Sequence, residues 1–363
     1  MAVSTATTGL ELLRSLQSEI DVRMADYFAG DEFQLDTALT PNGEYARGLL
    51  EEFSLRPCKR LRGALVILAY EMFGGTNRQT ALDAAVAMEL AQNYLLIVDD
   101  VMDRSATRRG GETMQLKYKA LIAHKYPGLD LDHTGNMLGI NTGLIAQHMA
   151  ARLLGRVHED PARVLKALDL FHKNIATTGY GQLDDLFNDA TALLSAEEII
   201  HLCELKTSYY TFINTLQTGA VLAGATDADL AAFHKFGLHA GLAFQLQDDI
   251  IGMFGSEKIS GKSALDDLRE GKVTLLMEHA LTHVGEQDLT TLRAALGNAE
   301  LTSDQHNQVK RILEAAGSRQ YVSELAHAES TAARQVLDTQ TDWDRTAVDL
   351  LAELLQYIVE RNI

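Results

Sequence analysis

Apolar residues recur at three- and four-residue steps through most of this chain, and strand-like alternation is scarce. Leu10, Leu13, Leu16, Ile20, Met24 and Tyr27 predict an amphipathic helix over residues 9–29. A short helix follows over Glu44–Phe53, after a polar connection from Asp31 to Pro41. Pro57 suits the first turn of the next helix and Gly74-Gly75 stops it, which sets Lys59, Arg60 and Arg62 in that first turn. The stretch Leu82–Met102 is apolar around most of its surface, as an interior helix is. Residues 137–157 and 161–178 are further helices, and Ser195 with Glu198 forms a capping box that opens another. An apolar helical run, Leu238–Leu246, closes on a second acidic pair, and Leu289–Leu296, Asp304–Ala316 and Arg319–Leu337 are packing helices. His124–Asn136 reads as a loop in which His124 and His133 are solvated. The expectation is an all-α fold in one domain, 1–363, since no linker or repeat divides the chain.

The chemistry gathers where apolar runs end. Asp99-Asp100-Val101-Met102-Asp103 packs three carboxylates into five residues. On a helix, Asp99 and Asp103 share one face with Cβ atoms about 6 Å apart. Their repulsion calls for a hard divalent cation, Mg²⁺ above all, which takes one or two carboxylates plus substrate phosphates. Arg104, Arg108 and Arg109 follow and suit phosphate oxygens. Alone, such a cluster is an exposed acidic turn; a second copy, Gln245-Leu246-Gln247-Asp248-Asp249, argues for a site.

Other candidates are scattered. Lys59, Arg60 and Arg62 oppose the dipole of the helix they open, so an anion belongs there, with Lys59 and Arg62 converging on it. Gln92 is either a buried amide satisfied by backbone or a phosphate ligand. Lys206-Thr207 sits two or three turns into the capped helix and suits a leaving phosphate. Asp184-Asp185 caps or buttresses, with Gln182 and Asp185 in reach of the site. The glycine-punctuated run Phe254–Lys272 reads as a lid whose Lys262 and Lys272 close over an anion.

Composition narrows the partners. A net charge of -18 argues against nucleic acid and anionic membrane surfaces, and 4 prolines permit long helices nearly everywhere. Cys58 and Cys203 form neither a disulfide framework nor a zinc pattern and suit a reducing cytosol. The N-terminus lacks a signal-peptide pattern, and no apolar run approaches the roughly 20 residues that span a bilayer. A cytoplasmic protein with no membrane span is expected.

From about residue 56 to 337 these motifs resemble, in order, the trans-isoprenyl diphosphate synthase (polyprenyl synthetase) family. The resemblance implies that Lys59, Arg62 and Gln92 bind isopentenyl diphosphate, that Asp99 and Asp103 hold Mg²⁺, and that Arg108 takes the allylic diphosphate and Arg109 isopentenyl diphosphate. Lys206, Thr207, Gln245, Asp248 and Asp249 match the remaining active-site positions, the two aspartates as metal ligands, and Lys262 and Lys272 match the closing loop. It implies an isoprenoid-synthase-type helical bundle around a central cavity, usually a homodimer, that condenses isopentenyl diphosphate head-to-tail with an allylic prenyl diphosphate. Tyr94 and Leu95 stand where chain length is set; Tyr94 lies roughly 7 Å deeper than Asp99 along a helix. One aromatic there resembles geranylgeranyl (C20) synthases. Two departures stand out: Pro57-Cys58 replaces a glycine pair, and Gly252 replaces the last aspartate of the second motif, which leaves open a non-catalytic partner subunit. A class I terpene cyclase has no use for Lys59, Arg62 and Arg109.

Overall fold

The computed structural model describes residues 8–30, 33, 35, 38–126, 128–191, 194–255 and 265–360, with backbone only at 189–191 and 266. Strand among the described residues is confined to Thr107–Arg108 and Gly111–Glu112, so the expected all-α class holds. Two compact units divide the chain, Met1–Asp169 with Thr218–Ala225, and Leu170–Gln217 with Thr226–Ile363.

In the first unit, α1 (Gly9–Ala29) has the predicted bounds and opens on a Thr8–Glu11 capping box. Its buried Leu13, Leu16, Ile20, Met24 and Tyr27 belong to the predicted stripe, of which Leu10 is partly exposed. After α2 (Pro41–Ser54), α3 (Leu61–Met72) starts later than Pro57 suggests. Arg60 is its N-cap and takes a left-handed conformation (φ 50°), which ends any helix running in from Pro57. Lys59 therefore lies outside the helix, exposed, while Arg62 is its buried second residue. Gly74 and Gly75 close α3 as expected: their N–H groups bond Glu71 O and Tyr70 O, with Gly74 left-handed at φ 80°.

The axis of this unit is α4 (Arg78–Met102), capped by Asn77 and flanked by α3 and α6. Contrary to the expectation from composition, this helix of 25 residues is long and apolar enough to cross a bilayer, with mean hydropathy 1.3 over its best 18-residue window. Within that window 61% is buried in the protein, as befits a core helix. The loop expected over His124–Asn136 is shorter than predicted. His124 belongs to α5 (Met114–Lys125), and Asp130 caps α6 (Leu131–Leu154) by accepting the His133 N–H at 3.0 Å. Its polar residues are the first turns of α6. Gly135, Gly139 and Gly143 line the α6 face against α5 and α4; a Cβ on Gly143 would come within 3.4 Å of Tyr94 O.

The second unit takes in most of α7 (Pro161–Thr191), which runs well past residue 178, so Asp184 and Asp185 sit inside a helix and cap nothing. Ser195 and Glu198 form the predicted capping box of α8 (Ala196–Cys203). The chain then widens into a ten-residue π-helix, Glu204–Ile213, before α9 (Asn214–Ala223). Its neighbours in this unit approach through glycine. A Cβ on Gly181 of α7 would stand 2.7 Å from Lys206 N, and one on Gly237 of α10 (Asp227–Phe254) 3.1 Å from Ile213 N. Beyond lie α11 (Asp266–Glu270), α12 (Leu275–His283), α13 (Glu286–Ala295), α14 (Ser303–Ala315), α15 (Ser318–Asp338) and α16 (Arg345–Val359). Packing of α15 on α10 includes the contact of His239 Nδ1 with Glu329 Oε2 at 2.7 Å.

Two glycines two residues apart separate packing from propensity. Gly181→Ala must push on the Lys206 backbone and is expected to cost about 1–3 kcal/mol. Gly179→Ala meets nothing within 4 Å and should be neutral or gain up to about 1 kcal/mol in helix propensity. Urea unfolding of both variants measures the contrast; equal destabilisation would contradict the packing.

Candidate active site

The first half-site is the end of α4. The Asp103 N–H bonds Asp99 O at 2.8 Å, so the helical turn survives and the two aspartates keep their i,i+4 relation. Asp100 between them is fully buried. It accepts Arg108 Nε at 2.7 Å, and Arg108 Nη2 also reaches Asp99 at 3.2 Å. Burial works against the Arg108 charge, but Asp100, Asp99 and Asp103 outweigh it and raise its pKa. The middle carboxylate of the motif is the seat of an arginine.

Arg108 and Arg109 ride on a tight hairpin. Arg108 pairs with Gly111 across a two-residue turn, Arg109-Gly110, in which both residues have positive φ (51° and 74°), as a type I′ turn requires. Arg56 clamps the hairpin by donating to the carbonyls of Arg108 and Glu112, each at 2.8 Å. A Cβ on Gly111 would stand 2.7 Å from the Arg56 guanidinium carbon, so only glycine leaves room for the clamp. Arg109 donates to Asn93 Oδ1 at 2.9 Å and lies over the Phe53 ring, 5.5 Å from its centroid. Burial, aided by the charges of Arg60 and Arg62 against those of Cys58 and Glu89, pushes its pKa down.

One anion at the start of α3 is part of the protein and serves Arg60. Glu89, fully buried on α4, accepts the Gly63 N–H at 3.0 Å and pairs with Arg60 at 3.3 Å. Arg60 also bonds Asp21 and Ser54 O. Glu89 thus meets the α3 N-terminus and Arg60, while Lys59 precedes the helix, so its three-residue spacing from Arg62 is not a helical one. Gln92 is partly exposed on α4, as are Tyr94 and Leu95 five and four residues before Asp99. The sequence reading passed over Arg56, Glu89 and Asn93. A glutamate and an asparagine inside an apolar helix were the available signal.

The second half-site joins the π-helix to the end of α10. Lys206 Nζ bonds Asp185 at 2.5 Å. The Thr207 hydroxyl donates to Gln245 Oε1 at 2.7 Å, and Gln245 Nε2 donates to Asp249 at 2.7 Å. Thr207, Gln245 and Asp249 thus form one hydrogen-bonded chain, with Asp248 beside it on the same helix. Burial, reinforced by the Asp267 and Asp248 carboxylates, pushes Asp249 up to about 8. Gly252 leaves room for another acid: Asp267 Oδ2, from α11, lies 3.3 Å from where a Cβ at residue 252 would be. An aspartate at 252 would meet a carboxylate already there. Lys272 pairs with Glu270 at 2.9 Å. Lys262 lies outside the described residues.

Among the described residues, no three His, Cys, Asp or Glu side chains group so as to hold a metal unaided. Pairs of hard carboxylate oxygens nevertheless fit Mg²⁺, which is ordinarily held by one or two carboxylates with substrate phosphates and water completing its shell. A separate cavity of about 580 Å³ in the first unit, lined by Arg23, Asp26, Asp83, Arg152 and Arg156 among others, contains none of the sequence-predicted residues.

The profile of the polyprenyl synthetase family matches residues 44–315, a span that includes both half-sites. The chain belongs to this family. It is 31% identical over 304 residues to the geranylgeranyl diphosphate synthase of Methanosarcina mazei, covering 84% of this chain and 86% of that one. It is 30% identical over 306 residues to the geranylfarnesyl diphosphate synthase of Aeropyrum pernix, covering 84% and 90%. Among solved structures, geranylgeranyl pyrophosphate synthase from Corynebacterium glutamicum, complexed with isoprenyl diphosphate and magnesium, is similar at a TM-score of 0.89 and 26% identity, covering 96% of this chain and 99% of that one.

The raised Asp249 pKa sets a pH dependence. Between the ordinary 3.8 and about 8 the folded state holds a proton there that the unfolded chain releases. Stability without divalent cation should therefore fall as pH rises through that window. Urea midpoints in chelator from pH 5 to 9 should fall less steeply for Asp249→Asn than for the native chain; parallel profiles would refute the assignment.

Proposed function

We propose that this chain is a Mg²⁺-dependent trans-prenyl diphosphate synthase that condenses isopentenyl diphosphate with an allylic prenyl diphosphate to give the C20 product, geranylgeranyl diphosphate. The observation that carries the reading is the pair of acidic helix ends, Asp99/Asp103 with Arg108 bonded to Asp99, and Asp248/Asp249 linked through Gln245 to Thr207, in a chain of the polyprenyl synthetase family. On this reading the whole chain acts as one catalytic domain, and both ends serve one allylic diphosphate.

Breaking the allylic C–O bond puts negative charge on the leaving oxygens, and stabilising that charge is the main catalytic task. Asp99, Asp103, Asp248 and Asp249 would hold Mg²⁺, which would supply a Lewis acid there. Arg108, already seated on Asp100, and Lys206, seated on Asp185, present charge-assisted donors to the same oxygens, with Thr207 and Gln245 fixing the second set. Lys262 and Lys272 close over the diphosphate. Lys59, Arg62, Gln92 and Arg109 hold isopentenyl diphosphate, whose double bond attacks the allylic carbon before a proton leaves to the released diphosphate. A non-catalytic subunit was suggested by Gly252, yet Asp267 brings a carboxylate to that position. The two free cysteines suit a reducing cytoplasm.

On this reading the growing tail passes Tyr94 and Leu95, both partly exposed on α4. The face of α6 that bears Met137 (55% exposed), Ile140 (44%) and Leu144 (47%) leaves an apolar stripe at helical spacing. Its occupant on this reading is a second copy of the chain, joined across a two-fold axis.

Purified protein with Mg²⁺, isopentenyl diphosphate and each allylic starter should consume isopentenyl diphosphate and yield C20 product. Tyr94→Ala should lengthen the products, read by chromatography of the dephosphorylated alcohols. No consumption of isopentenyl diphosphate by the native chain would refute the function, and an unchanged length profile in the variant would remove Tyr94 from the floor. Sedimentation should give a dimer that Leu144→Glu converts to monomer; a native monomer would end that proposal.

A further inference from the structure

The arginines of the first half-site differ in what holds them. Arg56 bonds Glu52, Arg60 bonds Asp21 and Glu89, and Arg108 bonds Asp99 and Asp100. Each of these charges meets a carboxylate. Arg109 is held by the side-chain carbonyl of Asn93, a neutral group, and its Nη2 is buried with no hydrogen-bond partner among the described residues.

The orientation of that amide is dictated from behind. Leu50 O is a carbonyl and can only accept, so the Ser54 hydroxyl, 2.6 Å away, spends its proton there. Ser54 Oγ is left as an acceptor, and Asn93 Nδ2 donates to it at 2.8 Å. With the NH₂ end so committed, Oδ1 must face Arg109. Ser54 and Asn93 are both fully buried, which leaves no water to reverse the order. Leu50, Ser54, Asn93 and Arg109 form one directed chain of hydrogen bonds that begins at a backbone carbonyl.

We propose that Asn93 is a positioning residue that presets Arg109 while leaving its charge uncompensated for the diphosphate of isopentenyl diphosphate. This rests on the reading given above, in which Arg109 meets that substrate. An amide in this place fixes the guanidinium at no cost in charge, whereas a carboxylate of the same shape would fix it and neutralise it. Ser54 determines which end of the amide Arg109 meets. A half-buried guanidinium near Arg60 and Arg62 whose hydrogen bond is to a neutral amide is poorly compensated by the protein alone, and a bound diphosphate would complete its hydrogen bonds.

Asn93→Asp is nearly isosteric and tests this directly. The KM for isopentenyl diphosphate should rise by about tenfold or more, the scale of a charge-assisted hydrogen bond, while kcat and the allylic KM stay within about threefold. Calorimetric binding of isopentenyl diphosphate without metal should weaken by a similar factor, and circular dichroism should match the native chain. Ser54→Ala, which releases the amide to turn its NH₂ end toward Arg109, should weaken the same binding severalfold and decides the matter if Asn93→Asp does not fold. A native chain that binds isopentenyl diphosphate, alongside a folded variant that binds it equally well, would overturn the role of Asn93 alone. A native chain that does not bind it would overturn this inference together with the function it rests on.

Discussion

Like charges crowded at a helix end organise this protein. Asp99, Asp100 and Asp103 lie within two turns of α4, where the dipole already disfavours anions. Arg108 relieves part of that repulsion by bonding Asp100 and Asp99 at once. Placing Arg108 there requires a hairpin turn with two left-handed residues, Arg109 and Gly110, and a clamp from Arg56 that only a glycine at 111 accommodates. Much of the local architecture of the first unit follows from holding one guanidinium against two carboxylates.

The second unit meets the same problem with different means. Asp249 is half-buried near Asp248 and Asp267, and its carboxyl is pushed toward the protonated form. The amide of Gln245 bonds it, Thr207 bonds the other end of that amide, and Lys206 is tied down by Asp185. The π-helix lets Lys206 and Thr207 leave the ordinary helical repeat, and such widened turns recur at functional sites. Close glycine contacts at 181 and 237 sustain it. Among the described residues, neither unit groups three His, Cys, Asp or Glu side chains that could hold a metal unaided, which is the arrangement expected where a substrate's phosphates complete the shell.

How much of this was legible in the sequence depends on whether the cause was local. The bounds of α1, the capping box at Ser195, the glycine stop of α3 and the helical spacing of Asp99 and Asp103 all follow from neighbours in the chain, and all were foreseen. The contacts of Glu89 with Gly63, Asn93 with Ser54 and Asp267 with the space at Gly252 join residues from 15 to 39 positions apart, and periodicity carries no trace of them. Pro57 misled because a proline at a helix start is a tendency, and the left-handed Arg60 three residues on overrides it. The π-helix was invisible because its sequence, ELKTSYYTFI, reads as ordinary helix.

We propose that both acidic ends serve one diphosphate. A crystal structure of the chain with Mn²⁺ and an unreactive allylic thiolodiphosphate, its ions located by anomalous scattering, tests that claim most directly. The account predicts ions on Asp99 and Asp103 and on Asp248, all touching the oxygens of a single diphosphate. Ions or ligand confined to one acidic end, with the other turned to separate surroundings, would contradict it.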